Sequence, residues 1–269
     1  MHPIITIYCA FTRRWAVDPW LENLAAVSHD PALTNLAFII DCEEHYIANT
    51  LKQFAEKHGY RNFHLKMNTG HHPNETNLTY RRQRIAQVKN MSKDLINMAD
   101  GEIIISFEDD TVFDRLASFE PLCSPLLEFK RVGFVEGVQM GRWGANIIGA
   151  WQFDDFNRPT EAKTLLPSDG HQQMTGGGWY GYATTRKLYL NCDYYWSTSQ
   201  PWGPDVNFGL WLRQQGYKCL IDWRVIFGHR DFNKLKYPDD PDITLTQVVY
   251  NKDKITGKWN RTDHEQTRY

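Results

Sequence analysis

The chain has 269 residues, 42% hydrophobic and 23% charged, which is enough for one sizeable core, so one large α/β domain is expected before two small ones. A net charge of −2 makes no global case for nucleic acid or an anionic membrane, and no apolar run approaches the roughly 20 residues that span a bilayer. The cysteines (Cys9, Cys42, Cys123, Cys192 and Cys219) are odd in number and never spaced C-x-x-C, which argues against a disulfide framework or zinc knuckle and for a reducing compartment; with no signal-peptide pattern at the start, a cytoplasmic setting is expected.

In chain order, Ile4-Ile5-Thr6-Ile7-Tyr8-Cys9-Ala10 predicts a buried strand. Asp18-Pro19-Trp20 predicts a helix start, with Asp18 as N-cap and Pro19 at the first position. Leu36 to Asp41 reads as a second strand ending on a carboxylate. Ile47, Leu51, Phe54 and Ala55 mark a helix stopped near Gly59, and Phe63 to Met67 is a short third strand. After a loop rich in Asn, His, Gly and Pro, the residues Ile85, Val88, Leu95, Ile96 and Ala99 recur at helical spacing. This β-α alternation implies a parallel, doubly wound sheet with right-handed crossovers, whose ligands sit at the carboxyl ends of the strands.

The next strand is the centre of the chain. Ile103-Ile104-Ile105-Ser106-Phe107 runs straight into Glu108-Asp109-Asp110. Three adjacent acids repel one another, and a divalent cation offsets that repulsion because hard cations take carboxylate oxygens. The competing reading is a solvated acidic turn. Asp41 falls at the same end of the predicted sheet.

The second half changes character. Val132 to Val135 and Asn146 to Trp151 read as strands with Gly-rich joints, and seven of the ten Trp lie between Trp143 and Trp223. Such aromatics either stack on sugars and bases or fill a core. Gly176-Gly177-Gly178 permits close backbone approach. Gly203-Pro204-Asp205 predicts a helix start and Gly216 its stop. Cys219 to Phe227 is a last strand, delivering His229. The polar tail from Asp231 is expected to be an arm. Between Leu51 and Lys93, nine Lys/Arg stand against two Glu, while the rest of the chain has 21 against 30 acids; a basic block beside an acidic site suits a phosphorylated ligand.

Taken together, these pieces resemble an inverting glycosyltransferase of the GT-A fold, of the family 2 type, over residues 4–230. The match rests on the strand ending in Asp41; on Arg84 through Lys89-Asn90 and Asp100-Gly101 to Glu108-Asp109-Asp110; on the glycines before Tyr182-Ala183-Thr184-Thr185-Arg186; and on Trp202-Gly203-Pro204-Asp205. Three departures stand out. The first acid of the metal motif is Glu108, Asp205 lacks a preceding acid, and Lys89-Asn90 replaces the usual Arg-Asn pair. The resemblance implies a Rossmann-like, mostly parallel sheet flanked by helices, with a smaller mixed acceptor-side region. It divides the chain into a nucleotide-sugar half (1–113), an acceptor half (114–230) and an arm (231–269).

The same resemblance assigns Thr6, Asp41, Arg84, Glu108 and Asp109 to the nucleotide-sugar. It assigns Asp110, Glu108 and His229 to Mn2+ or Mg2+, and Gly177, Gly178, Trp179 and Trp202 to the acceptor, with Tyr180 beside them. Asp205 becomes the general base. The implied reaction moves a sugar from a nucleoside diphosphate, UDP in the first instance, to a hydroxyl of a glycan or of a hydroxylated DNA base, glycans being preferred. Two other readings stand beside it. A nucleotidyltransferase should carry a Gly-rich phosphate loop near the N-terminus, and Ala10 to Trp15 has no glycine. An inactive carbohydrate- or nucleic-acid-binding module has no need of both the acid cluster and Asp205.

Overall fold

The computed structural model describes residues 3–42, 46–68, 78–139, 149–151, 168–196, 203–231, 234–240, 246–252 and 259–265. The first half alternates as expected: β1 (Ile5–Phe11), α1 (Arg14–Ala26), β2 (Thr34–Ile40), α2 (Tyr46–His58), β3 (Asn62–Met67), α3 (Leu78–Met98) and β4 (Ile103–Glu108). Then come β5 (Thr111–Val112), α4 (Glu120–Glu128), β6 (Val132–Val138), β7 (Ala150–Trp151), β8 (His171–Met174), β9 (Gly176–Gly177) and β10 (Gly181–Thr185). The remainder is α5 (Arg186–Asn191), α6 (Pro204–Gln214), β11 (Lys218–Ile226), β12 (Gly228–Asp231), β13 (Lys234–Lys236), β14 (Thr246–Lys252) and β15 (Trp259–Glu265).

Eight strands form one sheet in the order β3-β2-β1-β4-β10-β6-β11-β8. The pairs β3-β2, β2-β1, β1-β4 and β6-β11 are parallel; β10 runs antiparallel between β4 and β6, and β8 closes the edge antiparallel to β11. Apolar strands without polar alternation demand cover on both faces, and both are covered. One face buries Trp20, Phe38, Phe107 and Phe113 with residues of α1, α2 and α4. The other buries Tyr8, Trp179, Tyr182, Tyr189 and Phe208 with residues of α3, α5 and α6. Much of the aromatic content is therefore core.

Three local expectations are corrected. α1 starts at Arg14, with Arg13 as N-cap, and Pro19 lies inside it rather than at its start. The earlier start is held by Asp109, which takes the exposed N–H groups at that end, while Pro19 forgoes the bond to the Trp15 carbonyl. Ile85 is 39% exposed, so the buried face of α3 is carried by Val88, Leu95 and Ile96. The segment after Asp231 also carries strands: β13 joins a three-stranded sheet with β12 and β5, and β14 pairs with β15. The stops at Gly59 and Gly216 hold, both with the positive φ that glycine adopts without strain. All five cysteines are free and buried. Among the described residues, no helix is long and apolar enough to cross a membrane.

Candidate active site

The acidic tip of β4 is split between two tasks. Asp109 is buried and faces the N-terminus of α1. Its Oδ2 accepts hydrogen bonds from the Thr12 N–H at 2.8 Å, the Thr12 hydroxyl at 3.0 Å and the Arg13 N–H at 2.9 Å, and its Oδ1 pairs with the Arg13 guanidinium. A carboxylate at a helix N-terminus satisfies orphan donors and meets the positive end of the dipole. Asp109 therefore fastens α1 to the sheet. Asp110 meets Arg13 and His229 instead. Its Oδ2 lies 2.8 Å from Arg13 Nη1 and 3.2 Å from His229 Nε2. His229 comes from 119 residues away and is delivered by β12, which pairs with β5 through His229 and Thr111.

Electrostatics at the tip follow from crowding. Burial, then the charges of Asp110 and Asp109, push Glu108 up to about 8, against the pull of Arg13 and Lys89. Burial also raises Asp109, with Arg13 opposing it. Arg13 is held more firmly charged: burial works against it, and the three acids outweigh that cost. Among the described residues, no three His, Cys, Asp or Glu are grouped to hold a metal ion. The donors present still fit a hard divalent cation, which binds through one or two carboxylates and completes its shell with substrate phosphate oxygens. Asp110 would supply the carboxylate and His229 the imidazole.

Two strands over, Asp41 follows β2 and Arg84 of α3 reaches it. Asp41 accepts from Arg84 through Nη2 and through Nε at 3.3 Å, and from Asn68 Nδ2 at 2.7 Å. Both partners are nearly fully buried. Thr6 is not part of this group. It lies near the opposite end of β1, buried, facing the Asn35 amide at 3.4 Å and packed where a side chain on Gly101 would sit. At about 3.3 Å per residue, the five positions from Thr6 to Phe11 put it roughly 16 Å from the carboxyl edge.

The other wall is built from glycines. β10 runs antiparallel to β4, so its start lies at the carboxyl edge, and the Tyr180 carbonyl accepts from the Glu108 N–H at 2.8 Å and the Thr111 hydroxyl at 2.7 Å. The Tyr180 ring lies 6.2 Å from that of His229. Gly177 and Gly178 are buried on this wall, and a Cβ on Gly177 would fall 2.3 Å from Glu136 Oε1. Trp179 is 3% exposed, edge-on to Tyr194 at 5.4 Å, with Lys89 Nζ 5.0 Å from its ring. It is core wall rather than an exposed platform, because the space between β10 and α6 needs apolar bulk. Trp202 lies outside the described residues.

Asp205 is the second residue of α6, half-buried, with Oδ1 accepting from the Val206 N–H at 3.0 Å. Burial raises its pKa, while that hydrogen bond and Arg82 of α3 oppose the rise. Arg82 is therefore near enough for its charge to act on Asp205. α6 is seated by Gly209, where a Cβ would come 2.7 Å from Gly176 Cα.

The basic block divides. Lys52, Arg61, Lys66 and Arg84 pair with Glu56, Asp100, Asp94 and Asp41. Lys89 is buried, donating to Ser106 Oγ at 2.7 Å inside rings of Tyr8, Trp179, Tyr182 and Tyr189. Burial lowers it to about 7, with Glu108 opposing. Of the nine cations, Arg84 and Lys89 are thus buried, while Lys52, Arg61 and Lys66 form ion pairs at the surface. Two site residues escaped the sequence reading. Arg13 stands in Thr12-Arg13-Arg14 immediately after β1, a legible signal at a strand's carboxyl end. Glu136 sits in Val132–Val138, where one acid inside an apolar run carries no motif.

No protein-family model matches the chain, and no curated protein matches it. Solved structures similar to it include the following two. The mannosyltransferase PcManGT of Pyrobaculum calidifontis, solved with GDP-Man and Mn2+, has 12% identity and a TM-score of 0.51, with 82% of this chain and 56% of that chain covered. GalNAc-T7, solved with UDP, GalNAc and Mn2+, has 12% identity and a TM-score of 0.57, with 84% of this chain and 43% of that chain covered. The chain spans about half the length of these two. Strand order, crossovers and these likenesses show that the chain has the GT-A fold.

Proposed function

We propose that the chain is a metal-dependent glycosyltransferase that inverts the anomeric centre of a nucleoside-diphosphate sugar, a UDP-sugar in the first instance, onto an acceptor hydroxyl. The observation that carries this reading is that Asp110 with His229 and Asp41 with Arg84 stand where β4 and β2 of the parallel half end, at one edge of the sheet; the charge of Arg82, on the helix that carries Arg84, acts on Asp205. Both similar structures were solved with a nucleotide or nucleotide-sugar and Mn2+.

The roles follow from the chemistry. Asp41, already held by Arg84 and Asn68, offers carboxylate oxygens to nucleobase N–H groups. Asp110 and His229 hold Mn2+ or Mg2+, which supplies Lewis-acid stabilisation of charge on the departing diphosphate. Glu108 stands at the same edge, beside the donor. Asp205 takes the acceptor's proton as the new C–O bond forms on the face opposite the breaking C1–O bond. A raised pKa suits a base, because it brings the proton affinity nearer the operating pH. Gly177 and Gly178 let the acceptor approach the backbone, with Trp202 following in sequence.

A glycan acceptor is favoured over DNA because so many of the block's cations are already paired or buried. The free, buried cysteines support a reducing, cytoplasmic setting. The test is a screen of UDP- and GDP-sugars for Mn2+-dependent hydrolysis and thermal stabilisation. A metal-dependent response to one donor class is expected; no response to any nucleotide, with and without metal, rejects the reading.

A further inference from the structure

Glu136 is the unexplained group of this fold. It lies on β6, paired to Tyr182 of β10 and Ile221 of β11, with no exposed surface. Its Oε2 accepts from Gln139 Nε2 at 2.8 Å, and its Oε1 has no hydrogen-bond partner among the described residues. Buried carboxylates are paired with cations or well hydrogen-bonded. This one has a negative neighbour in Asp205 of α6, and it in turn raises the Cys219 thiol of β11 on the neighbouring strand. The cations nearby answer other groups: Arg82 of α3 acts on Asp205, and Arg213 of α6 acts on Cys219. The Gln139 amide is the donor that Glu136 itself receives.

The same carboxyl shapes the glycine wall. A Cβ on Gly177 would fall 2.3 to 2.5 Å from all three of its terminal atoms. Gly176 in turn is the backbone on which Gly209 of α6 rests. Glu136, β9 and the middle of α6 at Gly209, one turn beyond Asp205, therefore form one packed stack.

We propose that Glu136 is a positioning residue for Asp205: an uncharged carboxylic acid that supports the Gly176–Gly177 strand against α6. Of the two carboxyls, the one at the helix N-terminus ionises first, and its charge then disfavours ionisation of the buried one. Burial, then Asp205, raises the pKa of Glu136 well above the usual carboxylate range. The proposal rests on Asp205 being the base.

The test needs no substrate. Infrared spectra of the full chain at pH 7 should contain carbonyl absorption of neutral carboxylic acids, Glu108 among them; a component of it should be lost in Glu136→Gln and kept in Asp205→Asn. The midpoint of that component should move to lower pH in Asp205→Asn, because a negative neighbour is gone. Thermal unfolding gives a second reading. The native state holds a proton that the unfolded chain releases above the ordinary Glu pKa, so stability falls as pH rises toward the native pKa. Relative to wild type, Glu136→Gln should gain up to about tenfold in folding equilibrium per pH unit over that range. Carbonyl absorption undiminished in Glu136→Gln, or a midpoint of the Glu136 component unmoved in Asp205→Asn, overturns the proposal and leaves the glycosyltransferase reading standing. Full turnover in Asp205→Asn removes that reading instead, whatever that component does.

Discussion

Arg13 Nη1 approaches Asp110 Oδ2 at 2.8 Å, and the oxygen it meets is the one that faces His229. A divalent cation bound there must share Asp110 with a guanidinium. Two protein ligands and a competing cation make a weak site alone, and diphosphate oxygens complete it. Calorimetry should therefore show weak Mn2+ binding by the apo chain and tighter binding with UDP or GDP present. Asp110→Asn should abolish the metal-dependent part of nucleotide affinity. His229→Ala should weaken it by roughly 10- to 100-fold, the scale seen for supporting groups at metal sites. Equal nucleotide affinity with and without Mn2+ in wild type and both variants would remove the acid cluster from this role.

Asp109→Ala should behave differently from Asp110→Asn. It strips the α1 N-terminus of its acceptor, at a cost of about 1–2 kcal/mol in chemical denaturation. Asp110→Asn leaves those hydrogen bonds in place and should unfold close to wild type. Equal stabilities for Asp109→Ala and wild type would mean that α1 is held by other contacts.

Lys89 gives a stability signature in pH. Its native pKa of about 7 lies below the ordinary lysine value, so the unfolded chain binds more protons between the two. The cost of burying the charge is in force below about pH 7 and is relieved as pH rises, by at most about 1.4 kcal/mol per unit. Lys89→Met should flatten that rise. Wild-type and Lys89→Met melting curves that change in parallel from pH 6 to 10 would count against a charge cost at Lys89.

Gly209→Ala sets two effects against each other. Alanine in a helix interior gains about 1 kcal/mol over glycine. Here its methyl lands 2.7 Å from Gly176 Cα, and overpacking against backbone costs about 1–3 kcal/mol. The clash should win, lowering the melting temperature and displacing Asp205 from the acceptor. A variant more stable than wild type would show that α6 shifts without strain.

Asp205→Asn removes the proton acceptor. Turnover should fall by about 10²- to 10⁴-fold with donor affinity hardly changed, and the wild-type product should have the anomer opposite to the donor's. Retention of configuration, read by NMR, would falsify both the role and the inverting mechanism.

How much of this was legible follows from what local pattern can carry. Apolar runs separated by helical spacing announced β1 to β4, and Glu108-Asp109-Asp110 announced the tip. Which acid does what was not legible. Asp109 and Asp110 differ only in the direction of their side chains, and that direction depends on where α1 begins. Thr6 was chosen for its strand and not for its end of the strand. Trp179 reads alike as platform or core until Tyr194 and Phe208 are placed around it. Glu136 matters only through Gly177 and Asp205, from elements 40 and more residues away, and no window of sequence contains that relation.

The insertion of β10 between β4 and β6 governs how the chain can be cut. A fragment ending near Phe113 contains every strand of the parallel half yet lacks Gly181–Thr185, the partner of Phe107 to Ile103. Its β4 would present unsatisfied backbone donors and acceptors along an apolar edge, which is a template for aggregation. The complementary fragment would hold β10 with one side bare. Co-expressed halves should therefore recover each other in a pull-down and stay in solution together, while either half alone should go to inclusion bodies.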